Sequence, residues 1–245
     1  MEISRAIIIP VYNGALYLPE TFRELGLLLT NHQIIFVNDG SIDETGTLLE
    51  KFYTENPSSV AIVTCVKNMG KGYAIREGLK KVREECMIVA FTDVEIPYGI
   101  ESLQSGFRLL EQRDELSFVY GTRTAAEKTQ SQYSVYRKIG TRLFRLLLPR
   151  KLRNISDTQS GLKVFKRKAA DIIFPLVKTN RWVFDLEIFL IAEEHEMNYQ
   201  ELPVQLKPAC VTRRGGVHFL KHGWKIVADI IRIRSYASRG LYKKT

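Results

Sequence analysis

Ala6-Ile7-Ile8-Ile9-Pro10-Val11-Tyr12-Asn13-Gly14 is the stretch from which the fold can be read. An unbroken, β-branched apolar run stops at a polar, turn-forming tip. A continuous run of this kind marks a strand covered on both faces, whereas a half-exposed strand alternates. Four more runs repeat the design at Gln33 to Val37, Val60 to Val66, Met87 to Thr92 and Ser117 to Thr122. Between them, Lys71 to Glu84 places Ala74, Ile75, Leu79 and Val82 at helical spacing. Strand, helix, strand in this order predicts an α/β domain with a mostly parallel central sheet and helices on both faces. Ligands of such sheets bind beyond the carboxyl ends of the strands.

The 245 residues suffice for one large domain with a substantial core and are few for two. Lysine and arginine number 36 against 27 acids, and this excess points to polyanionic partners: nucleic acid, anionic lipid or phosphorylated substrates. Nucleic acid is not expected, since no recognised binding motif is present and the acids described next would repel it. Cys65, Cys86 and Cys210 are odd in number and lack metal-ligand spacing, so free thiols in a reducing, cytoplasmic compartment are expected. Pro10 ends the first apolar run too early for a signal peptide, and no run approaches the ~20 apolar residues of a membrane span.

Polar residues gather at the strand ends. The first two strands end in Pro10-Val11-Tyr12-Asn13-Gly14 and Val37-Asn38-Asp39-Gly40-Ser41. There Asp39 can accept from a base or a sugar hydroxyl, and Gly40 permits close backbone approach. Helix capping by Ser41, with Asp43 and Glu44 in the first turn, explains the second tip equally simply. Lys67-Asn68-Met69-Gly70-Lys71-Gly72 can offer backbone amides and a cation to a phosphate. Asp93-Val94-Glu95, at the end of the fourth strand, can together meet a hard cation and the diphosphate it bridges.

The series P-x-Y-N, D-G-S-x-D, N-x-G-K-G and an acidic D-x-D-type pair resembles the family-two glycosyltransferases of GT-A fold, with their Rossmann-like nucleotide-binding half. Asp157-Thr158-Gln159-Ser160-Gly161-Leu162-Lys163-Val164-Phe165 is similar to the D-T-Q-x-G-x-K-x-F stretch of the dolichyl-phosphate glucosyltransferases, and Arg181-Trp182-Val183-Phe184-Asp185-Leu186-Glu187 matches a later R-x-x-F-D-x-E segment. The resemblance implies an inverting transfer from a nucleotide sugar, UDP-glucose ahead of GDP-mannose, to a polyprenyl phosphate. It assigns Pro10, Tyr12, Asn13 and Asp39 to the nucleoside, Lys71 to the diphosphate, and Asp93 and Glu95 to a divalent cation, Mg2+ or Mn2+. Arg123 falls at a phosphate-binding position, Asp157 at that of a general base or an acceptor-orienting residue, and Gln159 beside it. Asp185 and Glu187 have a structural reading as well. Glu95 stands where an aspartate is usual, Asn38 where a first aspartate is frequent, and Pro97 where some mannosyl relatives have a glutamine.

The domain is expected to span residues 1–210, with a nucleotide-sugar half to about 124 and an acceptor half from 125. Residues 211–245 then form a basic amphipathic helical extension. Two stripes, Ile139, Leu143 and Leu147 with Lys138, Arg142 and Arg145, and Leu220, Trp224, Val227 and Ile231 with Lys221, Lys225, Arg232 and Arg234, suit a membrane interface. Core or homo-oligomer contacts are the other reading of both. The expected setting is therefore the cytoplasmic face of a membrane, peripherally or through a separate anchor protein. A soluble or polysaccharide acceptor, and a non-catalytic basic binding protein on the same fold, are the rival functions.

Overall fold

The computed structural model describes residues 4–123, 152, 155, 157–181, 183–211 and 219–243. The stripe at Arg137 to Leu148 lies outside them, as do the side chains of Leu220, Lys221 and Trp224. Strands β1 (Arg5–Val11), β2 (His32–Asn38), β3 (Val60–Thr64), β4 (Ile88–Phe91), β5 (Phe118–Arg123), β6 (Lys163–Lys166) and β7 (Tyr199–Val204) form one sheet in the order β3-β2-β1-β4-β6-β5-β7. The five runs read from sequence are β1 to β5.

Alternate residues of each central strand feed opposite layers. Ile7, Ile9 and Val11 join Ile34 and Phe36 beneath α1 (Leu18–Gly26), α2 (Thr45–Glu55) and α4 (Gly99–Gln112). Ala6, Ile8, Ile35, Val37 and Phe91 face α3 (Lys71–Leu79), α5 (Arg167–Leu176), α6 (Phe184–Glu194) and α8 (Phe219–Ser238). Burial of each such side chain contributes about 1.5–3 kcal/mol, so a one-residue slip of register is strongly disfavoured. Residues 184–192 of α6 are buried all round, the acids Asp185 and Glu187 included, which matches its otherwise apolar sequence.

The sheet is mostly parallel, as expected, with one reversed strand that the sequence did not announce. β6 is antiparallel and lies between β4 and β5, pairing Phe91 with Lys163 and Tyr120 with Lys163. Its four residues, Lys-Val-Phe-Lys, contain no long apolar run by which sequence could announce a strand. Because β6 is reversed, it starts where β4 and β5 end. The segment just before it, 157–161, is thereby delivered to the carboxyl edge of the sheet.

The C-terminal stripe divides. Ile226, Ile230 and Ile233 of α8 are buried in the core, whereas Val227 and Ile231 are 37% and 58% exposed. Beyond α8 the Tyr242 ring is fully buried, and its hydroxyl donates to Glu187 Oε1 at 2.5 Å. The segment expected as an extension thus packs into the core shared by β1, β2 and β4. Between α6 and α8, after β7, α7 (Pro208–Val211) is a single turn. Tyr242→Ala should lower stability by about 3–5 kcal/mol in equilibrium denaturation. An unchanged midpoint would show that the tail is not part of the domain.

Candidate active site

Strands β1, β2 and β3 progress in one direction across the sheet while β4 lies on the other side of β1. The carboxyl ends of β1 and β4 therefore flank a switch point, where the helices leave in opposite directions and a crevice opens. The sequence-read residues collect around it.

The tips of β1 and β2 are sutured to each other by side chains. Asn13, in the left-handed region at φ 49°, donates its N–H to Ser41 Oγ at 2.9 Å and accepts from the Ile42 N–H through Oδ1 at 2.9 Å. Asp43 accepts from the Ala15 N–H at 3.2 Å and the Thr45 N–H at 3.1 Å. Desolvation, the largest single influence, raises the Asp43 pKa, but the Thr45 hydroxyl and these amides together outweigh it and hold the carboxyl below its ordinary range. Ser41 is therefore not the helix cap expected from sequence: α2 begins at Thr45, and the Ser41 hydroxyl is taken by the neighbouring tip. Tyr12 stands beside this platform, 51% exposed, while Pro10 is half-buried within β1.

Asp39 is buried, and both of its oxygens accept backbone N–H groups, from Met69 at 2.8 Å and from Gly70 at 2.7 Å. The N–H groups of Gly72 and Tyr73 go to Asn180 O, at 2.8 and 3.3 Å. The amides expected to cradle a phosphate are thus directed into the protein. Gly40, at φ +69°, is needed because a Cβ would collide with the Lys67–Asn68 backbone, so its close approach is to this loop. Of the loop's phosphate-suited groups, the Lys71 ammonium is turned to the sheet edge, where it pairs with Asp93.

Asp93 and Glu95, both half-buried, leave β4 in a tight loop closed by the Ile96 N–H donating to Asp93 O at 2.9 Å. Ile96 itself has φ 43°, a strained conformation for a β-branched residue. Gly161 of the Asp157–Gly161 loop lies against Asp93: a Cβ there would strike Asp93 Oδ2. At the end of β5 the Arg123 guanidinium grips Asp157 with both prongs, Nε to Oδ2 at 2.8 Å and Nη2 to Oδ1 at 3.2 Å. Gln159 is exposed beside them.

Sequence reasoning passed over Tyr98. Burial, then the charges of Asp157 and Asp93, push its hydroxyl above the ordinary tyrosine range against a hydrogen bond to Ser160 and the Arg123 charge. Tyr98 is thus a buried hydroxyl common to the Asp93 and Asp157 loops, and an aromatic after a proline carried no signal of that.

Glu187 is structural: Oε1 accepts from the Lys178 N–H and the Tyr242 hydroxyl, and Oε2 from the N–H and hydroxyl of Thr179. Asp185 meets Lys163 in a buried pair, Nζ to Oδ1 2.5 Å.

No group of three or more His, Cys, Asp or Glu able to hold a metal occurs among the described residues. The donor set instead fits a cation that takes one or two carboxylates and completes its shell with substrate phosphates and water, as Mg2+ commonly does. Asp93 and Glu95 could supply those carboxylates, and the glycine at 161 leaves no side chain over Asp93 Oδ2 on that side.

The family model described as Glycosyl transferase family 2 matches residues 6–174. The dolichyl-phosphate beta-glucosyltransferase ALG5C of Trichomonas vaginalis is 26% identical over 98% of this chain and 74% of its own length. The human dolichyl-phosphate beta-glucosyltransferase is 31% identical over 81% of this chain and 66% of its own. Among solved structures, the glucosyl-3-phosphoglycerate synthase of Mycobacterium tuberculosis, in complex with Mn2+, UDP and phosphoglyceric acid, superposes with TM-score 0.65 at 14% identity, covering 94% of this chain and 76% of that one. The mannosyltransferase PcManGT of Pyrobaculum calidifontis, in complex with GDP-Man and Mn2+, gives TM-score 0.63 at 15% identity, covering 96% and 64%. These likenesses establish the GT-A fold.

Since Asp39 holds two backbone amides, Asp39→Ala should cost about 2–4 kcal/mol of stability by leaving both unpaired. Thermal and denaturant melts test this, and a variant as stable as the parent would leave Asp39 as a ligand group alone.

Proposed function

This chain belongs to glycosyl transferase family 2, and we propose that it moves glucose from UDP-glucose, with inversion, onto a polyprenyl phosphate of the dolichyl type at a membrane surface. The observation that carries the reading is the packing of the Asp157–Gly161 loop against Asp93, which makes one site of the donor-side acid and the acceptor-side pair. The names of the relatives support the sugar and the acceptor.

In this reading Pro10, Tyr12 and Asn13 line the nucleoside subsite, and Asp39 fixes its floor. Asp93 and Glu95 would hold Mg2+ or Mn2+, whose chemistry is to act as Lewis acid on the departing nucleoside diphosphate. Lys71 neutralises the diphosphate as the sugar C–O bond to it breaks. A phosphate acceptor is already an anion, so its oxygen needs placement opposite that bond and charge neutralisation more than a base. Arg123 supplies the charge, with Asp157 fixing its orientation through two hydrogen bonds. That pairing favours the phosphate over a neutral hydroxyl acceptor, which would require Asp157 to be free to take a proton. Val227 and Ile231, exposed on a helix that also carries exposed Lys225 and Arg234, support contact with an anionic membrane surface. No helix among the described residues is long and apolar enough to cross a membrane.

The test incubates the protein with labelled UDP-glucose or GDP-mannose and either dolichyl phosphate in anionic vesicles or soluble saccharides. Label should enter the lipid fraction from UDP-glucose, vanish on chelation and return with Mn2+ or Mg2+. Arg123→Met should reduce the rate roughly 100-fold, the scale for one transition-state donor. Label on soluble saccharides alone would refute the lipid acceptor, and full activity after exhaustive chelation would refute the metal.

A further inference from the structure

Under the site lies a charged pair that neither the donor nor the acceptor reading uses. Lys163 is fully buried, its ammonium 2.5 Å from Asp185 Oδ1 and donating also to Ser160 O at 2.9 Å. It sits 5.4 Å from the centre of the Phe91 ring and 5.8 Å from that of Phe189. Lys71, the partner of Asp93, has its own ammonium 5.5 Å from the same Phe91 ring. The two lysines and two aspartates therefore form one cluster around Phe91. Embedding such a pair among aromatic rings is costly, and apolar residues of similar volume commonly serve stability as well or better. Stability alone is a poor reason for Lys163 and Asp185.

We infer that Lys163 and Asp185 are a positioning pair that decides how tightly Lys71 holds Asp93, and thereby how readily Asp93 accepts a divalent cation. This rests on the reading of Asp93 as a metal ligand. Lys71 contacts Asp93 directly, and its ammonium rests against the same Phe91 ring as the Lys163 ammonium that holds Asp185. Lys163 in turn engages Asp185 and limits its pull on Lys71. The cluster is balanced, with Lys71 and Lys163 against Asp93 and Asp185. Taking away Asp185 leaves Lys71 to Asp93 alone, and a cation must compete harder. Taking away Lys163 leaves Asp185 to Lys71, draws the ammonium back and frees Asp93.

The two substitutions therefore have opposite signs, which a purely structural role does not produce. Mn2+ alone would be titrated to millimolar concentration against the full chain, with free Mn2+ read by electron paramagnetic resonance and folding checked by thermal melt. Asp185→Asn should weaken Mn2+ binding on the order of fivefold, and Lys163→Met should tighten it by a similar factor. Both variants shifting in one direction, or neither shifting while folded, overturns the inference and leaves the metal reading standing. A wild-type chain that takes up no Mn2+ overturns both. Should the single variants fail to fold, Lys163→Met with Asp185→Leu replaces the pair by apolar residues; it should fold and bind Mn2+ about fivefold more weakly. Wild-type affinity in that double variant refutes the role.

Discussion

The register that sets Lys163 beside Phe91 on one flank and Tyr120 on the other is the constraint on which the site depends. Parallel strands alone would bring the ends of β1, β2 and β4 together and leave the Asp157 loop elsewhere. One reversed strand turns the arrangement into a closed one. Its first residue lies at the edge where its neighbours finish, so the loop that leads into it must cross the mouth of β4. Gly161 then touches Asp93 because no side chain stands between them.

Much of the polarity in these motifs is spent on the protein itself. Asp39 binds two amides of the Lys67–Gly72 loop, Asn180 O those of Gly72 and Tyr73, and Glu187 anchors the 178–179 segment to Tyr242. Where the donor is buried, as at Gly70 and Thr179, leaving it unpaired would cost about 1–3 kcal/mol. The result is a rigid rim on which a few groups, Tyr12, Lys71, Asp93, Glu95 and Arg123, are presented. Preorganisation of this kind spares a site the reorganisation that solvent would need during transfer.

The first five strands were legible because each carries a continuous apolar run, a pattern that even β3, half-buried at the sheet edge, shares. The Asp93–Glu95 pair and the Asp157 loop were legible through motifs, although their mutual contact was not. Three things escaped for physical reasons. β6 is too short and too flanked by lysine to read as a strand. The direction of a backbone N–H leaves no trace in residue identity, so the loop amides could be assigned to a ligand when Asp39 and Asn180 already held them. Neighbouring positions on α8 differ by about 100° of rotation, so one amphipathic stripe concealed both a core face at Ile226, Ile230 and Ile233 and an outward pair at Val227 and Ile231.

The reversed strand also fixes an order of assembly. β1 through β4 can form as successive local units, each strand meeting a neighbour soon after the intervening helix is made. β6 must wait for residue 163 to reach residue 91, and loop closure over that span is entropically slow. During synthesis strands β1 to β4 can therefore pair before the Asp157–Gly161 loop is set beside Asp93, while the core layer completed by α5, α6 and α8 is still open.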